Sequence, residues 1–491
     1  MSNALFFSEE LFADAIIALA QRSDIFYSLG SIFADYGYEL YLVGGSIRDA
    51  LIGRFNKFSD LDFTTNAHPE HMLKFLKPWA DTLWDTGIEF GTVSLSKKGC
   101  RPIEITTFRT DNYDQISRNP NVNFGNSLIE DLVRRDFTIN SIAAKILPNV
   151  PNNINELIDP LGGLEDIKNK IIDTPSMPES SFNDDPLRML RAARLVSQLG
   201  FEVSKSVFKA ISKMSLELRR VNTERISTEL DKLLLGVNPV GGVNLTTQTG
   251  LSKTILPELG KMQMETDEHY QHKDIYWHSL TVLHQAIKLE NEGPDLILRW
   301  ATLLHDIGKP ITRKQESSGV VSFHHHEVVG SKMVQKRMKV LKYSKQFIAD
   351  VSRLVYLHLR FHGFVDIKGN SNWTDSAVRR YVVDAGHLLN KLHKLVRADC
   401  TTRNKYRANK LQTNYNKLEK RITDLTIKEN LERVRPDLNG SEIIKILKIT
   451  AGPQVGKAWK YLKEIRLEKG LLSYKEASDI LFKWQKSDKL K

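Results

Sequence analysis

The chain has 491 residues, of which 41% are hydrophobic and 26% charged, and its formal net charge is +11. One hydrophobic core rarely grows beyond about 250–300 residues, so this length predicts several domains. The composition is that of a folded globular protein, and two distant cysteines, Cys100 and Cys400, argue against a disulfide-rich protein or a zinc ribbon. No uncharged apolar run reaches membrane-spanning length and no basic export signal begins the chain, so we expect a cytoplasmic protein without a membrane partner. The positive charge favours a polyanionic partner such as nucleic acid.

The first third of the chain predicts a mixed α/β domain. Apolar residues recur at helical spacing from Leu11 to about Tyr36, and YELYLVGG then predicts a strand that ends in a glycine turn. GTVSLSKK and RPIEITTFRT predict a β-hairpin in the same sheet. After a cluster of proline and serine at 174–181, the periodicity is almost wholly helical, so we expect an all-α remainder.

A glycine turn followed by two aspartates is the first candidate site. Gly44 and Gly45 end a predicted strand, and Asp60 and Asp62 lie two residues apart on the next one. Glycines allow backbone N–H groups to approach a phosphate, and Arg48 could bind one of its oxygens. Residues i and i+2 of a strand face the same side, so the two carboxylates could hold divalent metal ions for phosphoryl transfer. Either half alone is better interpreted as a turn or a solvated strand end; together, separated by one helix, they predict a phosphate-transfer site.

The segments GGSIRD and SDLDFTT resemble the head of class II tRNA nucleotidyltransferases and bacterial poly(A) polymerases, members of the DNA polymerase β-like superfamily. LVRRDFTINSIA, DPLGGLEDI, NDDPLRMLRAARL and ERISTEL are similar to further motifs of this family. Two residues depart from its usual pattern: Ser141 stands in place of alanine and Asp184 in place of glutamate. The resemblance implies an α+β fold, with a DNA polymerase β-like nucleotidyltransferase head (a mixed sheet with helices) followed by an all-α neck, body and tail.

The segment NDDPLRMLRAARL predicts a helix that starts with Asp185 as N-cap and Pro186 as first residue. Asp185 and Arg188 would then be neighbours on one face, which by itself indicates only a local ion pair on a solvated surface. The resemblance implies that these two residues read the base of incoming CTP or ATP. It also implies that Asp60 and Asp62 are catalytic and bind Mg²⁺, whereas Glu104 is more simply interpreted as structural. The nucleotide-binding residues that it implies are Gly44, Gly45, Arg48, Arg135, Asp185, Arg188, Arg191 and Arg194.

Two segments favour CCA addition over poly(A) synthesis. GIEFGTVSL resembles the GIxFGTV sequence of CCA-adding enzymes, and the polar segment from Arg109 to Leu128 resembles the flexible loop with which they change from CTP to ATP. The resemblance therefore implies that the chain builds or repairs the 3′-terminal CCA of tRNA from CTP and ATP. The alternatives are a poly(A) polymerase and an HD phosphohydrolase with a regulatory nucleotide-binding head.

Histidine is dense between His278 and Asp399, where the ligand types follow the order H…HD…D. Imidazole and carboxylate groups suit a divalent transition metal. The order resembles the HD phosphohydrolase superfamily, which implies an unidentified divalent metal. Lys309 would lie near the phosphate, and His324 and His325 are interpreted as ordinary histidines. The implied ligands are His278, His305, Asp306 and Asp399, with His326 and His358 for a second ion.

The last segment is helical and rich in lysine around GPQVG, where Gly452 and Gly456 could let RNA phosphate approach or could simply end helices. The resemblance implies that this tail holds the acceptor region of tRNA, and no obligate protein partner is evident. We therefore predict four domains: a nucleotidyltransferase head (1–175), a helical neck that templates the nucleotide (176–265), an HD metal-binding domain (266–405) and a basic helical tail that binds tRNA (406–491).

Overall fold

A computed structural model of the protein describes residues 15, 18–19, 23–56, 59–85, 87–98, 101–112, 121–125, 127–148, 157–263, 274–317, 321–363, 373–402, 404–429 and 435–488. The chain divides into two compact units, between Ile255 and Leu256. The division into four domains is finer than this and stays a prediction. Within the described parts of the chain, no helix combines the length and apolar character that crossing a membrane requires.

A seven-stranded mixed sheet forms the centre of the head, as the α+β prediction requires. Its strand order is β3-β4-β5-β2-β1-β8-β9, in which β2 and β5 are parallel and the other neighbours antiparallel. The predicted strand in YELYLV and the predicted hairpin are both present. The elements are α1 (Ser23–Asp35), β1 (Leu40–Val43), α2 (Gly45–Leu51), β2 (Leu61–Thr65), α3 (Pro69–Leu76), β3 (Thr82–Trp84), a 3-10 helix (Ile88–Phe90), β4 (Thr92–Ser96), β5 (Ile103–Thr107), β6 (Arg109–Asn112), β7 (Asn121–Phe124), α4 (Leu128–Val133), a 3-10 helix (Thr138–Asn140), β8 (Ala143–Lys145), β9 (Leu157–Ile158) and α5 (Gly163–Asn169).

The alternation of side chains along β2 separates the core from the candidate site. Leu61 and Phe63 are buried, and the ring of Phe63 packs edge-on against Phe26 of α1 at a centroid distance of 6.0 Å. Successive side chains of a strand point to opposite faces, so Asp62 lies on the face away from α1. The apolar half of the strand thus fixes the register that presents this carboxylate.

The neck is helical apart from one short parallel strand pair. In that pair β10 (Ile171–Ile172), at the end of the predicted head, runs parallel to β11 (Glu202–Val203) of the neck, while α7 (Leu187–Leu199) packs against α9 (Thr223–Leu234) and α10 (Pro239–Gln248). Leu190 and Ala193 of α7 are fully buried, so they lie on the face that this helix packs against its neighbours. The helices are α6 (Pro178–Asp184), α7 (Leu187–Leu199), α8 (Lys205–Met214), a 3-10 helix (Ser215–Arg220), α9 (Thr223–Leu234), α10 (Pro239–Gln248) and α11 (Ser252–Ile255).

In the parts of the second unit that the structure describes, the elements are helical except for the strand pair of β12 (Lys314–Gln315) and β13 (Val321–Ser322). Trp300, Tyr276 and Tyr381 are its largest fully buried side chains among the described residues. The last three helices enclose an apolar cluster of their own, which includes Leu438, Leu462 and Leu481. The elements are α12 (Pro257–Met262), α13 (Ile275–Ile287), α14 (Leu296–Leu304), α15 (Lys309–Thr312), β12 (Lys314–Gln315), β13 (Val321–Ser322), α16 (His326–Val340), α17 (Lys345–Leu357), a 3-10 helix (Arg360–Gly363), α18 (Asp375–Ala385), a 3-10 helix (Gly386–Leu388), α19 (Leu389–Ala398), α20 (Lys405–Glu429), α21 (Gly440–Leu447), α22 (Pro453–Lys469) and α23 (Tyr474–Asp488).

Candidate functional sites

The glycine turn joins β1 to α2 next to the carboxylate of Asp62. Gly44 has a φ of +79°, a conformation that side chains with a Cβ rarely adopt. A Cβ at Gly44 would lie 3.6 Å from both Nη1 of Arg135 and Oδ2 of Asp62. The hydroxyl of Ser46 donates a hydrogen bond to the carbonyl of Asp60 (2.6 Å), which ties the start of α2 to the segment that leads into β2. The turn therefore lies against Asp62 and Arg135.

Three carboxylates gather beside this turn. Asp62 is on β2 and Glu104 is its register partner on β5, while Asp60 lies one residue before the strand on which it was predicted. The pKa of Asp62 is raised to about 6, and burial is the largest cause. The charge of Arg135 opposes this increase, whereas the negative charges of Glu104 and Asp60 add to it. Glu104 is exposed, so it faces the site and takes no part in the core.

This donor set suits Mg²⁺. Carboxylate oxygens are the ligands that this hard cation prefers, and its charge would relieve the repulsion that raises the pKa of Asp62. In the structure Oδ1 of Asp60 accepts a hydrogen bond from Nη1 of Arg101 at 3.0 Å, and both side chains are largely exposed. Exposed ion pairs are weak, so Asp60 can exchange this partner for a metal ion at small cost.

The predicted nucleotide-binding arginines surround the buried carboxylate of Asp136. Nη2 of Arg191 lies 2.5 Å from Oδ2 of Asp136, and Asn140 donates to Oδ1 of Asp136 and accepts from Arg48. Burial raises the pKa of Asp136, but Arg191, the hydrogen bond from Asn140 and the further arginines outweigh it and leave the pKa far below its usual value. Sequence reasoning missed Asp136, although it lies inside the RRDFTIN motif.

The same arginines keep unused hydrogen-bond donors. Among the described residues, the buried Nε atoms of Arg135, Arg191 and Arg194 have no hydrogen-bond partner. Buried donors in proteins are normally paired, so three unpaired guanidinium donors in one cluster fit a bound polyanion such as a triphosphate. The structure brings Arg135, Arg191 and Arg194 together around Asp62 and Asp136.

The helix after Asp185 begins later than predicted. Asp185 has an extended backbone, Pro186 occupies the N-cap, and α7 starts at Leu187. Oδ1 of Asp185 still accepts a hydrogen bond from the Leu187 N–H (3.1 Å), while Oδ2 lies 2.9 Å from Nη2 of Arg225. The difference arises because Asp185 also ends α6, so it cannot share a helical face with Arg188.

Arg188 is held separately from Asp185. Its Nη1 donates to Oγ of Ser181 (2.8 Å) and its Nη2 to the carbonyl of Arg134 (2.7 Å). The ordinary interpretation of these residues as a local ion pair is therefore wrong, since each side chain has other partners. Arg225 belongs to the ERISTEL segment, so that motif was the signal that could have identified it.

The segment from Arg109 to Leu128 begins and ends as an antiparallel hairpin of β6 and β7. Residues 113–120, the middle of the predicted flexible loop, lie outside the described residues. Phe124 packs edge-on against His68 at a centroid distance of 5.2 Å, and a Cβ at Gly91 would lie 2.7 Å from its ring. The base of the hairpin thus rests on the GIEFGTV segment. A cavity of about 310 Å³, lined in part by Thr110, Ile129 and Arg188, opens beside it.

Six side chains of metal-ligand type, one of which is Asp306, lie together in the histidine-rich site. Two groups each bring their ligand atoms within 4.8 Å of one another: His278, His305 and Asp399 form the first, and Asp306, His326 and His358 the second. Oδ2 of Asp306 lies 3.5 Å from Nε2 of His278 and 3.2 Å from Nε2 of His305. Its Oδ1 lies 3.2 Å from Nε2 of His326 and 3.7 Å from Nε2 of His358. Asp306 therefore faces both groups, one oxygen to each.

Backbone carbonyls orient three of these histidines. Nδ1 of His305 is 2.9 Å from the carbonyl of Thr302, and His326 and His358 make equivalent contacts with Phe323 and Val355. A ring whose Nδ1 donates to a carbonyl presents the lone pair of Nε2, which is the arrangement of metal-binding histidine. The donor set therefore suits a divalent transition metal. His305 and Asp306 directly follow α14, which ends at Leu304.

The electrostatics of this site reflect its dense packing of ligands. Burial lowers the pKa of His305, but the charges of Asp306 and Asp399 outweigh it and raise that pKa to about 10. Burial and the charge of His305 lower the pKa of His358 to about 3. Nζ of Lys309 lies 2.6 Å from Oδ2 of Asp306, whereas His324 and His325 are exposed, as expected of ordinary histidines.

Comparisons with known families divide the chain in the same order. Residues 40–173 match the poly A polymerase head domain, residues 200–262 the probable RNA and SrmB-binding site of polymerase A, and residues 275–397 the HD domain.

Similar proteins are nucleotidyltransferases. The CCA-adding enzyme of Anoxybacillus flavithermus is 40% identical over 231 residues, which are 47% of this chain and 54% of that enzyme. The A-adding tRNA nucleotidyltransferase of Deinococcus radiodurans is 31% identical over 364 residues, 73% of this chain and 80% of that protein. The chain thus spans about half the length of the first relative and most of the second.

A solved structure shares the fold over nearly the whole length. The Bacillus stearothermophilus CCA-adding enzyme in complex with CTP superimposes with a TM-score of 0.64 and 24% identity, covering 98% of both chains. The shared fold therefore includes the second unit as well as the head and neck. The sequence similarity to the Deinococcus protein covers most of the chain. The chain therefore belongs to the family of tRNA nucleotidyltransferases.

Proposed function

We propose that this protein adds CCA to the 3′ end of tRNA, using CTP and ATP and releasing pyrophosphate. The observation that carries the proposal is the position of Asp62, which lies in one compact unit with the glycine turn, the arginine cluster, Asp185 and Arg188. The relatives that add CCA or A to tRNA support the substrate class. A tRNA substrate would place the reaction in the cytoplasm.

The head would perform the chemistry. Mg²⁺ bound by Asp60 and Asp62, with Glu104 beside them, would activate the 3′-hydroxyl and neutralise charge on the transferred phosphoryl group. Arg135, Arg191 and the other arginines of the cluster would bind the triphosphate through guanidinium groups that still have donors available. The backbone at Gly44 and Gly45 would lie close to the phosphates, because these residues have no Cβ to block the approach.

The neck would select the base. Asp185 offers acceptor oxygens and Arg188 offers donors, and together they can match the hydrogen-bonding edges of cytosine and adenine. The cavity beside Arg188 has apolar walls at Ile129 and Val133, which suit the face of a base. No nucleic-acid template is needed for such a choice.

The tail would hold the tRNA body. Its helices α21 to α23 carry many lysines around a small apolar cluster, and such side chains attract phosphate irrespective of sequence. The GPQVG segment begins α22 at Pro453, which is an ordinary helix start. Recognition of tRNA here would then depend on shape and charge.

Extension of two tRNA primers tests the proposal. One primer ends at position 73 and the other at CC; each is incubated with Mg²⁺ and with CTP, ATP or both, and products are resolved at single-nucleotide length. We expect two additions to the first primer with CTP, a third when ATP is present, and one addition to the second primer with ATP. Long adenosine ladders would indicate poly(A) polymerase instead.

A second outcome of the same experiment is favoured by one comparison. The Deinococcus relative, which aligns with 73% of the chain, is named an A-adding enzyme. An enzyme of that type would extend the CC primer with ATP and leave the shorter primer unchanged with CTP. The two primers therefore separate CCA addition from addition of A alone.

We further propose that the HD domain is a metal-dependent phosphohydrolase. Asp306 faces two ligand groups, an arrangement that suits two divalent ions at one phosphate ester. Hydrolysis of bis(p-nitrophenyl) phosphate and of a 2′,3′-cyclic nucleotide, with Mn²⁺, Ni²⁺ or Mg²⁺, tests this proposal. We expect Asp306→Ala to abolish hydrolysis and His325→Ala, at an exposed histidine, to retain it. Equal turnover by both variants would refute it.

A further inference from the structure

Asp131 is a completely buried carboxylate on α4, and it binds two consecutive arginines. Its Oδ1 accepts hydrogen bonds from Nε (3.0 Å) and Nη2 (2.6 Å) of Arg134, and its Oδ2 accepts from Nη2 of Arg135 (3.0 Å). Burial raises the pKa of Asp131, but the charges of Arg135 and Arg134 outweigh it and keep the pKa below its usual value. The carboxylate is therefore ionised at neutral pH and uses both of its oxygens.

The two arginines lead to different parts of the proposed active site. Nη1 of Arg135 lies beside the glycine turn that also contacts Asp62, and the charge of Arg135 lowers the pKa of Asp62. The backbone carbonyl of Arg134 accepts the 2.7 Å hydrogen bond from Arg188. Asp131 thus holds both Arg135, which lies near Asp62 in the head, and Arg134, whose carbonyl binds Arg188 of the neck.

The local structure explains why such an anchor is needed. Helix α4 has only six residues, and a helix this short has little stability of its own. Arg134 and Arg135 follow its C-terminal end at positions i+3 and i+4 from Asp131, where side chains on one helical face meet. Charge-assisted hydrogen bonds from Asp131 hold this end in one conformation.

We propose that Asp131 is a positioning residue that couples triphosphate binding in the head to base selection in the neck. It acts through Arg135 on the phosphate side and through the Arg134 carbonyl and Arg188 on the base side. The inference rests on the proposed function, since it assigns Asp131 a task within nucleotide addition. Asp131 is fully buried, so it would not contact the substrate itself.

Steady-state addition of A to a tRNA that ends in CC tests the inference. KM and kcat are measured for ATP, and the preference for ATP over CTP and UTP is measured by competition. Loss of one charge-assisted hydrogen bond corresponds to an effect on the order of tenfold, and we expect Asp131→Asn to raise KM and lower the preference by about that factor. Asp131→Glu keeps the charge and both acceptors and is expected to lower the preference less.

Glu290→Gln is the matched control. Glu290 binds the buried Arg299 through Nε and Nη2, at 2.9 and 2.6 Å, in the second unit. This control is expected to lower the unfolding temperature and leave KM and nucleotide preference unchanged. The double variant with Asp131→Asn and Arg188→Gln is expected to show the preference of Arg188→Gln alone, because Asp131 acts through Arg188.

Two results would overturn the inference while nucleotide addition itself remains. One is a loss of kcat or stability in Asp131→Asn with unchanged KM and preference, which would make Asp131 purely structural. The other is a further, multiplicative loss of preference in the double variant. Failure of the wild-type chain to extend any tRNA would instead refute the proposed function, and this inference with it.

Discussion

Asp62 on β2 and Glu104 on β5 occupy paired positions of two parallel strands, and the charge of Glu104 contributes to the raised pKa of Asp62. This pairing weakens the metal-free protein, because the charge of Glu104 disfavours ionisation of Asp62. The arrangement is useful where a divalent cation compensates the charge. Several measurable consequences depend on this relationship.

Asp62→Asn is expected to lower tRNA extension about a thousandfold, since a lost metal ligand removes several kcal/mol of charge stabilisation from the transition state. Single-turnover extension at saturating Mg²⁺ is the measurement. Asp81→Asn, which removes an exposed carboxylate near Lys97, is the control and is expected to extend tRNA at the wild-type rate. Near-normal rates in Asp62→Asn would show that Asp62 is no metal ligand.

Asp62→Asn is also expected to stabilise the metal-free protein in a pH-dependent way. The folded-state pKa of Asp62 is about 6, above its ordinary value of 3.8. Protonated Asp62 therefore makes its full contribution to the free energy of unfolding below about pH 3.8, and this contribution is lost as the pH rises through about 6. Asparagine does not ionise, so the variant gains up to about 3 kcal/mol over wild type above pH 6.

Urea unfolding in EDTA at pH 5 and pH 8 measures this gain. It is expected to be larger at pH 8, and added Mg²⁺ is expected to raise the stability of the wild type more than that of the variant. A gain of equal size at both pH values would contradict the raised pKa of Asp62.

The HD domain is expected to bind roughly two divalent ions, one for each ligand group that Asp306 faces. Metal content after incubation with Mn²⁺ and gel filtration is compared in chains that carry Asp60→Asn and Asp62→Asn, which removes binding by the head. Asp306→Ala is expected to lose both ions, His358→Ala to keep about one, and His325→Ala to keep both. Equal occupancy in all three would show that Asp306 does not join the two groups.

Gly91→Ala is expected to impair the third nucleotide addition more than the first two. Gly91 has a φ of +76°, and a Cβ there would lie 2.7 Å from the ring of Phe124 in β7, so the base of the hairpin must shift. Gly53→Ala is the control: its φ is +70°, but its Cβ would meet nothing within 4 Å, so both variants carry similar backbone strain of about 1–2 kcal/mol. Equal rates of A addition in both variants would contradict this prediction. They would show that the base of the hairpin does not control the change from CTP to ATP.

Local patterns predicted much of this molecule. Alternating and helical periodicity located the strand ending at Val43, the hairpin of β4 and β5 and the helical remainder, because each depends on which side chains face a core. The ligand order of the HD segment predicted residues that the structure brings together.

Contacts between distant segments could not be predicted in this way. The partnership of Asp185 with Arg225 joins residues forty positions apart, and the bond from Arg188 to the Arg134 carbonyl joins two domains of the prediction. The helix start near Asp185 lies one residue later than the local pattern predicts, because Asp185 is the C-cap of α6, which ends at Asp184. Glu104 was interpreted as structural because the sequence does not reveal that β2 and β5 are parallel neighbours.

The most direct test of CCA addition sequences the 3′ ends of products formed from tRNA that ends at position 73, with all four nucleoside triphosphates present at equal concentration. We expect nearly all products to end in CCA and extension to stop there, because a protein that selects each base itself needs no template. Products that end in mixed nucleotides, in long adenosine tails or without any added cytidine would contradict it.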